Sequence, residues 1–276
     1  MKAVTFPDGE QVPALGQGTW MMGESHDRRA AEIAALRAGV DLGMKLIDTA
    51  EMYGDGAAER LIGEALGDRR DELFLVSKAY PHNASRRRLA GACEESLQRL
   101  GTDRLDLYLL HWRGTVPLGE TAEAMEALKA AGKIRHWGVS NLDMDDMDEL
   151  VGEGGGACAT DQILYNLTRR GPEHDLLPWL SARGFPAMAY SPVEQGRLIG
   201  NRALADVAGR TGATPAQVAL AWTMRHDGVI SIPKAGSIEH VKENRAAADL
   251  VLTEADLAAL DTAFPRPLGR VPLEML

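Results

Sequence analysis

The sequence predicts a (β/α)8 TIM barrel preceded by a short N-terminal β-hairpin, and three observations lead there. Short apolar runs alternate with longer amphipathic stretches along nearly the whole chain. The runs are rich in branched residues and too short for helices, as strands buried on both faces are. The chain has 276 residues, just above the roughly 250 that such a barrel needs.

The elements follow in order. Ala3–Phe6 and Glu10–Val12 flank Pro7-Asp8-Gly9, a hairpin with its turn. A strand near Leu15–Gly18 comes next, then runs at 45–48, 73–78, 105–111, 134–140, 160–165, 185–191 and 228–233. Between them, Leu89, Cys93, Leu97 and Leu100 draw one apolar helical stripe, and Met125 and Leu128 mark another. Thr214-Pro215-Ala216-Gln217 combines a capping residue, Pro at the first helical position and Gln at the third. Thr253-Glu254-Ala255-Asp256 is a weaker version of that signal. Alternating strands and helices imply parallel pairing through crossover helices. The competing architecture, an open doubly wound sheet, calls for GxGxxG after its first strand. The segment Gly16-Gln17-Gly18-Thr19-Trp20-Met21 lacks the third glycine, which favours the barrel. Gly154–Gly156 reads as a loop rather than a linker, so residues 1–276 are expected to form one domain.

Composition narrows the function. A hydrophobic fraction of 45% with 25% charged residues is ordinary for a chain with a sizeable core. Thirty Lys and Arg against forty Asp and Glu give a net charge of −10, which argues against nucleic acid or anionic membrane as a partner. Cys93 and Cys158 lie far apart with no CxxC pair, so neither a disulfide framework nor a zinc site is expected. The seven histidines show no ligand spacing, and no metal is expected. The start, MKAVTFPDGEQVP, carries no apolar signal region, and no run nears the about 18 apolar residues of a membrane helix. The expectation is a cytoplasmic monomer. Signatures of phosphate-binding-loop kinases, zinc proteases and serine hydrolases are missing.

In a barrel, chemistry gathers at the C-terminal ends of the strands. Asp48 closes the second strand, with Tyr53 in the loop after it; Lys78 closes the third and His111 the fourth. Singly, each has an ordinary reading: a helix cap, a structural ion pair, a core histidine. Their joint placement at successive strand ends carries the functional one. A tyrosine with an ordinary pKa of about 10 is a weak acid at neutrality. A neighbouring lysine is expected to lower it, and an aspartate to keep that lysine charged. A histidine can hydrogen-bond the same substrate oxygen. Such a group stabilises an oxyanion forming on a carbonyl and protonates it, which suits hydride addition to an aldehyde or ketone.

The segment DTAEMYGDGAAERLIGEAL, with Lys78, LLHW (109–112), GVSNL (138–142), DQILYN (161–166), AYSP (189–192) and IPKAGSIEHVKEN (232–244), resembles the aldo-keto reductase family, in order and across nearly the whole chain. The resemblance implies Tyr53 as general acid, supported by Asp48, Lys78 and His111. It implies that Ser140, Asn141 and Gln162 hydrogen-bond a nicotinamide carboxamide on which Tyr190 stacks. Ser191, Leu198, Lys234, Gly236, Ser237, Glu243 and Asn244 match pyrophosphate and adenosine contacts. Two positions depart from the family pattern. Ala235 stands where Ser or Thr is usual, and His240 where Arg is usual; both normally hold the 2′-phosphate of NADPH. Because His grips phosphate more weakly than a guanidinium, the cofactor is expected to be NADPH with loose discrimination against NADH. Trp20, Tyr80 and Trp112 match aromatic positions around the substrate mouth. The short tail after Asp261 implies a shallow, open pocket. Small 2-oxoaldehydes such as methylglyoxal fit that picture, since the chain looks most similar to bacterial members that reduce them. A nucleotide-binding, redox-sensing regulatory subunit of the same fold is the alternative; the chain shows no insertion for such a partner.

Overall fold

The computed structural model describes every residue from Met1 to Leu276. Strands β1 (Ala3–Thr5) and β2 (Gln11–Pro13) pair antiparallel, with Val4 opposite Val12. Gly9 takes the turn at φ 91°, a conformation only glycine adopts without strain. The hairpin pushes Val4, Phe6 and Val12 into one cluster with Leu46, Phe74, Val76, Leu107, Leu109, Met188 and Ile230, the inward residues of the barrel strands. It therefore plugs one end of the barrel.

Polar contacts latch the plug. Glu10 accepts two hydrogen bonds from Arg135, at 2.8 and 2.7 Å, and lies 2.6 Å from His136 Nε2. Arg135 also reaches Asp106 at 2.9 Å. Asp8 stands on the other side of the same imidazole, 3.7 Å from Nδ1. Histidine spacing in the sequence gives no hint of this cluster, because Glu10 and His136 lie 126 residues apart. With Arg135 on Glu10 and the two carboxylates facing opposite ring nitrogens, the cluster fastens the hairpin.

The barrel follows in order: β3 (Gln17–Gly18), α1 (His26–Asp41), β4 (Leu46–Asp48), α2 (Ala57–Leu66), β5 (Phe74–Ala79), α3 (Leu89–Leu100), β6 (Leu105–Leu110) and α4 (Leu118–Ala130). Then come β7 (Ile134–Ser140), α5 (Met144–Gly152), β8 (Asp161–Leu164), α6 (Leu176–Ala182), β9 (Ala187–Tyr190), α7 (Arg202–Thr211), α8 (Pro215–Thr223), β10 (Val229–Ser231), α9 (Ile238–Ala247) and α10 (Glu254–Ala263). All eight expected strands are present. They pair in sequence order and in parallel from β3 to β10. The ring is completed by parallel bridges from Leu15 to Ser231 and from Gly18 to Lys234.

The strands show why their runs are continuously apolar. Leu107 and Leu109 of β6 face the barrel interior, while Tyr108 and Leu110 face the helices. The stripe Leu89, Cys93, Leu97 and Leu100 is buried along α3, and Met125 and Leu128 along α4. Thr214 caps α8 in a complete capping box with Gln217. Thr253 and Asp256 form an equally complete box on α10, stronger than the sequence suggested. A third box, Asp143 with Asp146, starts α5. No helix is long and apolar enough to cross a membrane.

The seam between β3 and β10 depends on backbone proximity. Gly18 N–H donates to the Pro233 carbonyl at 3.0 Å, and a Cβ on Gly18 would stand 2.7 Å from the Ile232 carbonyl oxygen. Gly18→Ala is therefore expected to cost about 1–3 kcal/mol, the usual scale of overpacking. Urea unfolding measures it; an unchanged midpoint would show that the seam parts freely.

Candidate active site

Three strand ends meet around one cation. Lys78, at the end of β5, is fully buried. Its ammonium donates to Asp48 Oδ2 at 2.9 Å, to the Thr49 carbonyl at 2.8 Å and to the Tyr53 hydroxyl at 3.1 Å. Three N–H groups find three oxygens, which is what a buried ammonium requires. The other Asp48 oxygen accepts from Gln162 Nε2 at 2.7 Å, carrying the network across the barrel to β8. His111 follows β6, with its ring 5.9 Å from that of Tyr53 in an edge-to-face arrangement. Its Nδ1 is sealed from solvent without a partner, which leaves Nε2 as the nitrogen open to the cleft.

The electrostatics correct one expectation. Lys78 does pull the Tyr53 pKa down, but burial pushes it up more strongly, and the phenol ends above its ordinary value. Burial likewise works against the charge on Lys78, yet Asp48 and Tyr53 outweigh it and hold that pKa above the usual lysine range. His111 is driven down to about 3, first by burial and then by the Lys78 charge. Near neutrality the cluster thus holds a protonated phenol, an ammonium and a neutral imidazole.

Around this centre the structure gathers most of the other expected residues. Tyr80 and Trp112 meet edge to face at 5.9 Å, and Trp112 lies 4.8 Å from the His111 ring, so an aromatic wall runs outward from Tyr53. Trp20 stands apart on the loop before α1, exposed. On the opposite side, Asn141 donates to the His111 carbonyl at 3.1 Å and accepts from the Tyr190 hydroxyl at 2.9 Å. Ser140 donates to the Gln162 carbonyl at 2.8 Å. Ser140, Asn141, Gln162 and Tyr190 thereby form one polar ledge joined to Asp48.

Farther along, Leu198 is buried and Ser191 sits in the left-handed region at φ 49°. Lys234 is exposed, and Ala235 is packed with Leu15, Ala35 and Val241, offering no donor. Ser237 caps α9 by accepting the His240 N–H at 3.3 Å, while the His240 side chain is exposed. Glu243 accepts the Thr214 hydroxyl at 2.5 Å, and Asn244 is buried.

Three features escaped sequence reasoning. Glu51 accepts the Tyr80 N–H at 2.6 Å and Asn83 Nδ2 at 3.1 Å, binding the Tyr53 loop to the aromatic wall. Asn166 donates to the Ser191 carbonyl at 2.9 Å and to Glu194 at 2.7 Å, and Arg169 adds a bond to Glu194 at 2.7 Å. These hold a turn in which Ser191, Glu194 and Gln195 all have positive φ. Third, the short tail does not leave the mouth bare. Arg270 reaches Asp145 at 2.7 Å and Asp175 at 2.9 Å, Glu274 pairs with Arg169, and the Leu276 backbone lies against the Tyr190 hydroxyl. A cavity of about 970 Å3 lies away from this chemistry, between α6, α10 and the entries to β9 and β10.

Known proteins share this architecture. The model of the aldo/keto reductase family matches residues 14–264. Methylglyoxal reductase YeaE of Escherichia coli K12 is 52% identical, covering 100% of this chain and 99% of its own length. Methylglyoxal reductase DkgB of Salmonella typhimurium is 32% identical over 91% of this chain and 93% of its own. An aldo/keto reductase from Klebsiella pneumoniae, solved in complex with NADP and acetate, superposes with a TM-score of 0.98 at 52% identity, covering 100% of this chain and 99% of that one.

The depressed His111 pKa has a measurable consequence. In the unfolded chain a histidine takes up a proton below about 6.5, whereas folded His111 does so only near 3. Its contribution to stability is therefore complete above pH 6.5 and is lost as the pH falls from there towards 3. Imidazole resonances followed by NMR should show His111 neutral at pH 5; a midpoint near 6.5 would overturn the assignment.

Proposed function

The chain belongs to the aldo/keto reductase family, and we propose that it uses Tyr53 as the proton donor in NADPH-dependent reduction of small 2-oxoaldehydes such as methylglyoxal. The observation that carries this reading is the buried Lys78 ammonium shared between Asp48, the Thr49 carbonyl and the Tyr53 hydroxyl. The substrate class rests on the relatives named methylglyoxal reductases.

The residues present suit a nicotinamide dinucleotide. Lys234 is an exposed ammonium with no carboxylate in salt-bridge range, placed just before the N-terminus of α9. Such a helix start favours phosphate. The half-exposed Tyr190 ring adjoins the ledge of Ser140, Asn141 and Gln162. Those four would hold the nicotinamide end, and Ser191, Leu198, Lys234, Ala235, Gly236, Ser237, His240, Glu243 and Asn244 the phosphate and adenosine end. When bound, the coenzyme supplies the hydride.

The chain's own groups handle the proton. Tyr53 keeps its hydrogen through neutrality because burial opposes the phenolate. The oxyanion building on a substrate carbonyl is a stronger base than a phenolate, so the proton passes from the Tyr53 hydroxyl to that oxygen. The phenolate left behind faces Lys78 at 3.1 Å, where opposite charge stabilises it. Asp48 keeps Lys78 charged and fixed in place. Neutral His111 presents Nε2 to hydrogen-bond the same oxygen, while Tyr80, Trp112 and Trp20 bound the space for the rest of the substrate. Electrostatic stabilisation aimed where charge develops is ordinarily the largest single contribution to such a step.

Residues 1–276 act as one domain in this reading, as a cytoplasmic monomer with no nucleic-acid partner. The relatives named above are reductases, so the regulatory-subunit reading has no support from them.

Initial rates with methylglyoxal and with an aromatic aldehyde, each with NADPH and NADH, test the proposal. Aldehyde-dependent oxidation is expected, faster with NADPH; no turnover with either coenzyme would sink it. Tyr53→Phe should lower kcat by roughly 10²–10⁴-fold, the usual scale of general acid catalysis, while coenzyme affinity stays near that of the parent. Full turnover in that variant would remove Tyr53 from the mechanism.

A further inference from the structure

A carboxylate on α1 stands beside the phosphate end of the site, outside every motif described above. Glu32 is 1% exposed. One oxygen accepts the Gly23 N–H at 2.9 Å; the other, Oε1, is sealed from solvent with no hydrogen-bond partner. The nearest cation is Arg28, whose Nε is 3.7 Å from Oε1 and whose side chain is 55% exposed, so water shares most of its charge. A buried carboxylate compensated this weakly projects its field into its surroundings instead of spending it on a partner.

Two observations place what receives that field. A Cβ on Gly236 would stand 3.3 Å from Lys234 Nζ and 4.0 Å from Glu32 Cγ, so both side chains converge on one point of the loop before α9. One turn along α1 from Glu32, Ala35 packs in the same buried cluster as Ala235 and Val241. The face of α1 that carries Glu32 is therefore the face against which the Lys234–Ser237 loop rests.

We infer that Glu32 is a specificity-determining residue that weakens the site's preference for a 2′-phosphorylated adenosine. Lys234 is the one cation of that loop, Ala235 offers no hydroxyl, and the exposed His240 offers no permanent charge. Glu32 sets a negative charge against the same group that Lys234 attracts. A 2′-phosphate, with a charge of about −1.5 to −2 near neutrality, meets this opposition; a ribose 2′-hydroxyl does not. The inference rests on the coenzyme reading proposed above and extends it to the choice between phosphorylated and unphosphorylated forms.

Binding of adenosine fragments tests it without turnover. Calorimetry on the parent protein, E32Q and E32A would measure the dissociation constants of adenosine 2′,5′-bisphosphate and of 5′-AMP, which differ only by the 2′-phosphate. Glutamine keeps an oxygen for the Gly23 N–H and removes the charge. The ratio of the two affinities should move towards the bisphosphate by roughly three- to tenfold in E32Q, the scale of one screened charge–charge interaction. E32A should move it the same way. If both affinities change by one common factor, or the ratio stays fixed, Glu32 only supports the Gly23 turn and the inference is overturned. If the parent protein binds neither fragment, the coenzyme reading fails first and takes this inference with it.

Discussion

Burying one ammonium constrains everything at the C-terminal end of this barrel. Lys78 has no exposed surface, and an unpaired charge there would cost several kcal/mol. Its three partners come from the end of β4 and the loop that follows, so that loop cannot shift without stranding the cation. Asp48 answers to Gln162 on the far side of the ring, which ties β8 to β4 through the barrel centre. The same charge helps keep His111 neutral. One satisfied cation therefore sets the position of the phenol, the protonation of the imidazole and the register between opposite strands.

Burial also assigns a division of labour that a list of residues would miss. Lysine is easily pictured as the agent that makes the tyrosine acidic in the resting protein. Here burial outweighs it, and the phenol holds its hydrogen more tightly than a free tyrosine does. In the proposed reaction the value of Lys78 lies after the proton has left, when a phenolate would otherwise stand alone in a poorly solvated place.

The barrel was legible because its signals are local. Seven apolar runs and the Leu15–Gly18 segment each report burial on both faces within a few residues, and Thr214 with Gln217 announces a helix start within four. The four polar residues at strand ends were legible for the same reason: a strand end is a position that can be read off the chain. What escaped depends on distance. Glu51 matters through Tyr80 and Asn83, and Glu194 through Asn166 and Arg169, pairings about thirty residues long with no periodicity to betray them. The tail looked short, hence open, yet Arg270 finds Asp145 from 125 residues away. The pKa of Tyr53 was out of reach because it is a contest between burial and charge, and sequence reveals the charge without the depth.

The plug at the other end has a consequence for how the chain assembles. Arg135 and His136 enter β7 from the middle of the sequence, while Glu10 and Asp8 leave the ribosome first. Until β7 is in place, the hairpin's acidic groups lack these counterparts, and Phe6 has Phe74 but not yet His136 to rest against. The hairpin therefore takes its latch from residues made after it, and that latch needs five of the eight barrel strands, β3 to β7, to exist. The seam from Leu15 and Gly18 to Ser231 and Lys234 joins residues still farther apart, so the start of the barrel takes its partners from the middle and the end of the chain alike.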